Sequence, residues 1–360
     1  MPISAYRLIP YSLPLRQVWR TNRDSVQQRQ GWIIELATDS GLKGHGDCAP
    51  LPAAGTETAP AAETCLTSQL PLLQNQSPTD ALQRLPSSLQ NPAARHALET
   101  ALLDLVSQSE HLSLRQWLSP TAVDEIAVNG SGGALDEQVF TRADDLLSLD
   151  FQSIKLKVGL YAVDQEIHQL KQLSAQLPAA IRLRLDANGA WSMTQAREFL
   201  RNLSGLPIES LEEPLKEPRL DNLRELQNMT EVSLALDESL SRLALEELLE
   251  QPPVRRLIIK PCVLGGLLPA KRLADLARQA DLETVVTSTL ESAVGIQAAA
   301  QLAMAINPLD QPLAHGLATS AWFANDVAEP PTIAHGRLWL ANIAGLGIQL
   351  KPGFTHHQPG

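Results

Sequence analysis

The 360-residue chain predicts an α/β fold, a (β/α)8-type barrel preceded by a smaller α+β capping domain. Two observations predict the barrel and a third the added domain. Short β-like runs recur from about residue 124, as EIAVNG, SIKLKVG, IRLRLDANG, IESLEEP, SLALDES, RLIIKP, ETVVTST and QPLAHG. Amphipathic segments such as QEIHQLKQLSAQL, SMTQAREFLRNL, LDNLRELQNM and AKRLADLARQA fall between them. The repeat is roughly 23–30 residues, the length of one βα unit, and eight such units close a barrel. The residues before it lack this rhythm.

In chain order, residues 31–37 (GWIIELA) read as a strand, followed by a turn-like DSGLKGHGD. A Pro/Gly/Thr loop, APLPAAGTET, comes next. NPAARHALETALLDLVSQ is the clearest early helix, with Asn91-Pro92 at its start. The expected division is a capping domain over 1–122, a barrel over 123–326, and a segment 327–360 packing back on the cap. The stretch Thr284 to Ile306 contains Glu291, Ser292 and Gln297, which makes it too polar for a membrane span. It reads as a strand followed by a buried helix.

Hydrophobic residues make up 44% of the chain and aromatics only 4%, so Leu, Ala, Val and Ile must fill the core. A net charge of −11 argues against nucleic acid or an anionic membrane as partner. It leaves room for an anionic small molecule, because a divalent metal and a few lysines reverse the local potential. Cys48, Cys65 and Cys262 form no CxxC pair, so neither a zinc site nor a disulfide framework is suggested. Three reduced thiols and no signal-peptide pattern at the N-terminus make the cytoplasm the expected location. Monomer and homo-oligomer both stay open.

Charged residues stand where a strand would carry apolar ones. The second β-run ends with Lys155 and Lys157, the third with Asp186, the fourth with Glu212 and Glu213, the fifth with Asp237 and Glu238, and the sixth with Lys260. Barrel active sites are built at that end, and side chains two apart on a strand share a face. Lys155 and Lys157 therefore both point into the barrel mouth, and Arg184 shares a face with Asp186. Singly, each feature has a plain reading. Lys-x-Lys suits a solvated strand edge, Asp-Ala-Asn-Gly a turn, Glu-Glu-Pro and Asp-Glu-Ser helix starts, and Lys260 a snorkelling side chain. Together they call for a cation, because three carboxylates on adjacent strands repel. Oxygen-only ligands suit Mg²⁺, with Mn²⁺ as a substitute. The metal and the other lysine would bring a lysine's pKa toward working pH.

The ordered set K-x-K, D-A-N, E-E-P, D-E-S and K-P resembles the enolase superfamily, in the branch of muconate cycloisomerase, dipeptide epimerases and o-succinylbenzoate synthase. The resemblance covers nearly the whole chain, including GDCAPLPAAGTET, a loop that would close over the site. It implies Asp186, Glu212 and Asp237 as metal ligands, with Arg184, Asn188, Glu213 and Glu238 supporting them. It implies Lys157 as acid/base, Lys155 tuning its charge, and Lys260 on the opposite side. IKLKVGLY, the Arg184-Leu185-Asp186-Ala187-Asn188 string with Ala190-Trp191, VVTSTLESAVG and GDCAPLP are most similar to the o-succinylbenzoate synthase family.

That resemblance implies a Mg²⁺-dependent dehydratase acting on a carboxylate. It would convert 2-succinyl-6-hydroxy-2,4-cyclohexadiene-1-carboxylate to 2-succinylbenzoate, a step of menaquinone or phylloquinone synthesis. Thr287, Ser288 and Thr289 are the candidates for the succinyl tail, with Gly265, Gly266, Leu51 and Gly55 as further substrate contacts. For the three hydroxyl residues, β-propensity and a helix start explain the sequence equally well. Dipeptide epimerases carry Asp-x-Asp at the end of the eighth strand, whereas this chain reads AHGLATSAW. N-succinylamino acid racemase and cycloisomerase remain alternatives, as does a non-catalytic binding protein on the same fold. A phosphate-binding barrel would want Gly-rich loops after strands seven and eight, and only SAVG and AHG are present. His45, His315 and His335 read as core or loop histidines, and His356-His357 as a tail.

Overall fold

The structure is a computed structural model that describes residues 1–20, 25–86, 89–307 and 312–354. Gln311 of the eighth β-run and the His356-His357 tail lie outside the described residues.

The cap begins with β1 (Ile3–Arg20), β2 (Ser25–Thr38) and β3 (Lys43–Cys48), an antiparallel sheet in that order. β1 carries Pro10 and Pro14, which a sheet tolerates on an edge strand, and β1 is the edge. β3 corrects the turn expected at KGHGD. A Cβ on Gly46 would meet the Ala97 carbonyl oxygen at 1.9 Å, and one on Gly44 the Ala101 oxygen at 2.3 Å. The glycines are there so that a strand can lie directly against a helix backbone, not to make a bend.

That helix is the third of four, α1 (Ala59–Leu73), α2 (Pro78–Arg84), α3 (Pro92–Ser109) and α4 (Leu114–Leu118). α3 is buried on nearly every side, which suits its Ala/Leu composition. Pro92 opens it as expected, but Asn91 makes no side-chain cap. Glu57 accepts from the amides of Ala93 and Ala94 at 3.0 and 2.8 Å instead.

β4 (Glu125–Ala127) takes half of the first expected barrel run. The barrel's first strand is β5 (Gly130–Ala134), and the series continues α5 (Val139–Ser148), β6 (Ser153–Lys157), α6 (Val163–Gln176), β7 (Arg182–Asp186) and α7 (Met193–Arg201). Then come β8 (Ile208–Glu212), α8 (Leu220–Asn228), β9 (Ser233–Leu236), α9 (Leu245–Glu250), β10 (Arg256–Ile259) and the short α10 (Pro261–Leu264). α11 (Leu267–Gln279), β11 (Glu283–Val286) and α12 (Ala293–Ile306) complete it. β5 to β11 form one parallel sheet in sequential order.

The eighth strand is reduced to His315 and Gly316. Gly316 N donates to Val286 O at 2.9 Å on one side, and Asn129 N to His315 O at 3.0 Å on the other. These bridges close the ring beside Pro312, which has no amide to give. Along β10, Leu257 and Ile259 join the main core between strands and helices. Ile258 points inward and packs with Ala235, Val285 and Leu313 as a plug beneath the site.

The C-terminal segment serves both parts of the molecule. β12 (Thr332–Ala334) and β13 (Arg337–Trp339) form a small sheet with β4. Beyond it, Leu346 N donates to Asp104 of α3 at 2.7 Å. No described helix is long and apolar enough to cross a membrane.

Burial holds the α3 residue His96 down to about pKa 4, and its Nδ1 has no hydrogen-bond partner. A histidine depressed when folded stabilises the protein above its ordinary pKa of about 6.5, and that stability is lost as pH falls toward 4. His96→Gln removes the dependence. Lowering the pH from 7.5 to 4.5 should therefore cost the variant about 2–3 kcal/mol less than wild type in urea unfolding. Parallel pH curves for the two proteins would contradict this.

Candidate active site

The carboxyl ends of the central strands meet in one cavity at the barrel mouth. Lys155 and Lys157 of β6, Asp186 of β7, Asn188, Asp237, Glu238 and Lys260 all line it. Glu212, the last residue of β8, pairs in register with Asp186. Lys260 follows β10, four strands around the ring from β6 and so across an eight-position barrel.

Opposite charges interlock there. Lys155 Nζ donates to both Glu212 oxygens at 2.8 and 2.7 Å and lies 2.9 Å from Asp186 Oδ2. Lys157 Nζ donates to Asp186 Oδ2 at 2.7 Å and to Asn188 Oδ1 at 2.6 Å. Lys260 Nζ donates to Asp237 Oδ2. Asn188 Nδ2 reaches Glu238 Oε1 at 3.1 Å, so the asparagine links Lys157 to the fourth carboxylate.

Burial opposes every one of these charges, and the partners decide the outcome. It works against the Lys155 and Lys260 ammonium groups, but the facing carboxylates overcome it and both lysines are raised. Both lysines sit among acids, and those acids favour their charged form. Burial also works against ionised Asp186, yet Lys155 and Lys157 hold its carboxyl well below the usual carboxylate range.

Two further acids shape the loops. Glu213, in a left-handed conformation, accepts from Asp237 N, Ser239 N and Ser239 Oγ at 2.7, 2.9 and 2.6 Å, fixing the turn that presents Asp237. Burial pushes its carboxyl up to about 7. Glu166 of α6 accepts from the amides of Gly159, Leu160 and Tyr161 at 2.8, 2.9 and 3.2 Å, anchoring the loop after Lys157. Glu166 lies in an ordinary amphipathic helix, so nothing in its sequence context marked it.

The carboxylates of Asp186, Glu212 and Asp237 are a hard, oxygen-only donor set, and Glu238 Oε2 is buried without a hydrogen-bond partner. The chemistry fits Mg²⁺. Among the described residues, however, no three donor groups close on one point. Lys155 Nζ bridges Asp186 and Glu212, and Lys260 holds Asp237.

Arg184 lies one inward position below Asp186 and binds Glu209 at 2.8 and 3.1 Å, supporting the barrel interior without reaching the cavity. Thr287, Ser288, Thr289 and Leu51 line the cavity as expected, but Gly55, Gly265 and Gly266 do not. Gly265 ends α10 in a left-handed conformation, and the reason for Gly266 is packing. A Cβ on Gly266 would stand 2.2 Å from Glu99 Oε2, and Glu99 of α3 accepts from Leu268 N at 3.0 Å. Gly55 ends the turn after Leu51 in a left-handed conformation, its position set by that turn. Asn129, Ser131, Thr319 and Trp322 also line the cavity and were missed. Asn129 precedes the first barrel strand and Ser131 is its second residue, level with Lys155, so a search for polar residues at a strand's carboxyl end passes over both. His315 is buried with Nδ1 accepting from Val286 N at 3.0 Å, a core histidine.

Residues 138–353 match the family model "Enolase C-terminal domain-like", and residues 3–96 match "MenC, N-terminal domain". The chain belongs to the enolase superfamily. Its place is in the muconate-lactonizing branch. An o-succinylbenzoate synthase from Desulfotalea psychrophila is 30% identical over 69% of this chain and 67% of its own length. An L-Lys-D/L-Arg epimerase from Methylococcus capsulatus is 31% identical over 97% and 99%. The solved dipeptide epimerase of that species, complexed with Mg and L-Arg-D-Lys, superposes with a TM-score of 0.85 over 97% and 99% of the chains at 29% identity. A muconate lactonizing enzyme from Pseudomonas fluorescens shares the fold, with a TM-score of 0.87 over 98% of each chain at 23% identity. Dehydratases and epimerases of this superfamily are similarly close, so the relatives establish an enzyme family without choosing the reaction.

Lys155→Met removes the cation between two carboxylates and should lower stability by about 3 kcal/mol. Millimolar Mg²⁺ should raise the melting temperature of the variant more than that of wild type, since it replaces the missing charge. Equal melting temperatures without metal would contradict the balancing role.

Proposed function

We propose that the protein is an o-succinylbenzoate synthase, dehydrating 2-succinyl-6-hydroxy-2,4-cyclohexadiene-1-carboxylate to 2-succinylbenzoate with Mg²⁺. One observation carries the reading. The cavity wall away from the lysines is uncharged, made of Gly316, Ala318, Thr319 and Trp322 with Leu51, Ala53, Ala54 and Leu290. Among the described residues of that wall a dipeptide's ammonium has no carboxylate to meet, whereas an uncharged ring and a succinyl chain fit. The match of residues 3–96 to the "MenC, N-terminal domain" model supports the same choice.

The residues have distinct tasks. Lys157, aimed by Asp186 and Asn188, removes the proton α to the ring carboxylate and returns it to the departing hydroxyl on the same face, so one water leaves. Asp186, Glu212 and Asp237 would hold Mg²⁺, which would supply positive charge beside the substrate carboxylate. Lys260, whose ammonium the acids hold in place, faces the planar intermediate from across the barrel and stabilises it by a cation–π contact. Thr287 Oγ1 is buried, lines the cavity and lacks a partner, so it is free to receive a hydrogen-bonding group of the succinyl tail. Lysines on opposite sides also suit racemisation of an N-succinylamino acid, which the same uncharged wall would admit.

Purified protein with Mg²⁺ and the cyclohexadiene substrate should develop the ultraviolet absorbance of an aromatic product. Lys157→Ala should reduce kcat by about 10³-fold. Racemisation of N-succinylamino acids, followed by polarimetry, separates the second reading. Racemisation without dehydration would replace the dehydratase assignment, and full activity in Lys157→Ala would remove that lysine from the chemistry.

A further inference from the structure

Arg29 of β2 is only 4% exposed, far from the lysine and carboxylate cluster in sequence, and absent from the mechanism above. Its three described hydrogen bonds all go to main-chain carbonyl oxygens. Nη2 donates to Ala49 O and Nη1 to Pro50 O, both at 2.9 Å, and Nε donates to Leu290 O at 3.0 Å. The first two belong to the cap and lead directly into Leu51. The third belongs to the barrel, in the loop after β11. Leu51 and Leu290 both line the cavity.

Leu290 has φ +61°, a left-handed conformation that a leucine keeps only where its surroundings enforce it. The carbonyl of that strained residue is the one Arg29 Nε holds. A guanidinium suits this task because its planar fork fixes several acceptors in one geometry, which an ammonium does not. The neighbourhood closes the same seam. Asp47 at the end of β3 accepts from Ser292 N and Oγ at 2.8 Å each, and Tyr11 Oη donates to it at 2.8 Å.

We propose that Arg29 is a positioning residue that sets the width of the substrate cavity, by locking the cap loop before Leu51 to the strained barrel loop at Leu290. It touches no reacting atom. Its effect on substrate binding passes through two apolar side chains that define how the uncharged end of the substrate lies. The inference about turnover rests on the proposed dehydratase reading, while the coupling of the two loops does not.

Hydrogen exchange on the full-length protein tests the coupling without any substrate. In Arg29→Met, amides of 49–56 and of 288–292 should exchange on the order of tenfold faster together, with β6 to β9 unchanged. Change in only one segment, in neither, or uniformly along the chain would overturn the proposal. If Arg29→Met does not fold, Arg29→Lys keeps the charge but not the fork, and the same comparison applies. In the dehydration assay, KM should rise about tenfold while kcat stays within about threefold, because the lysines and carboxylates are untouched. A kcat loss with unchanged KM would also overturn it. If wild type does not turn over the cyclohexadiene substrate, the dehydratase reading fails, and the exchange result still decides the role of Arg29.

Discussion

Buried carboxylates repel one another, and the barrel mouth gathers four of them, Asp186, Glu212, Asp237 and Glu238. Three lysines hold this cluster together. The ammonium of Lys155 spans two of the acids, and Lys260 holds a third, Asp237, from the neighbouring strand. Such a cluster is costly as a device for stability, since apolar side chains of similar size would pack as well. Its use is chemical. Groups whose charges are already balanced can exchange one cation for another, and can take up negative charge that develops on a bound carboxylate.

The remainder of the architecture holds that cluster open on one side and covered on the other. The barrel supplies strands whose alternate residues point inward, with an apolar plug of Ala235, Ile258, Val285 and Leu313 beneath. The cap supplies the cover, and its attachment is polar. Glu99 caps the start of α11, Asp47 binds Ser292 at the start of α12, and Asp104 holds Leu346 of the C-terminal segment. Each is a buried carboxylate accepting main-chain amides at a helix start or loop, where such an acceptor meets otherwise unpaired donors. Because those donors come from the barrel and the C-terminal segment, the cap cannot shift without exposing them.

The barrel rhythm and its catalytic ends were legible in the sequence because they break a local rule. A charged residue such as Asp186 or Lys157 at the end of an apolar strand stands out within five residues. The interdomain contacts were illegible because they break no local rule. Arg29 stands near the end of the polar stretch SVQQRQ before GWIIELA like any surface arginine, and the barrel carbonyl it holds lies 261 positions away. The glycines of KGHG and of Gly265-Gly266 were visible, but their reason was not. Gly44, Gly46 and Gly266 mark close approach of another backbone or side chain, and Gly265 a left-handed helix end, which a single sequence cannot tell from a ligand contact. The eighth strand shrank to two residues, because closing the ring needs only a few backbone bonds and Pro312 removes one donor. The uncharged wall, by contrast, was readable as an absence in AHGLATSAW, and it is the ground for the proposed dehydration.

The central claim is that this balanced cluster is built to accept a divalent cation. Crystals soaked in Mn²⁺ and measured at an anomalous wavelength test it most directly, since Mn²⁺ shares oxygen ligands with Mg²⁺ and is visible in the difference map. The account predicts one strong peak bound by Asp186, Glu212 and Asp237, with Lys155 withdrawn from between its two acids. A peak elsewhere, or none with Lys155 still bridging Asp186 and Glu212, would contradict it.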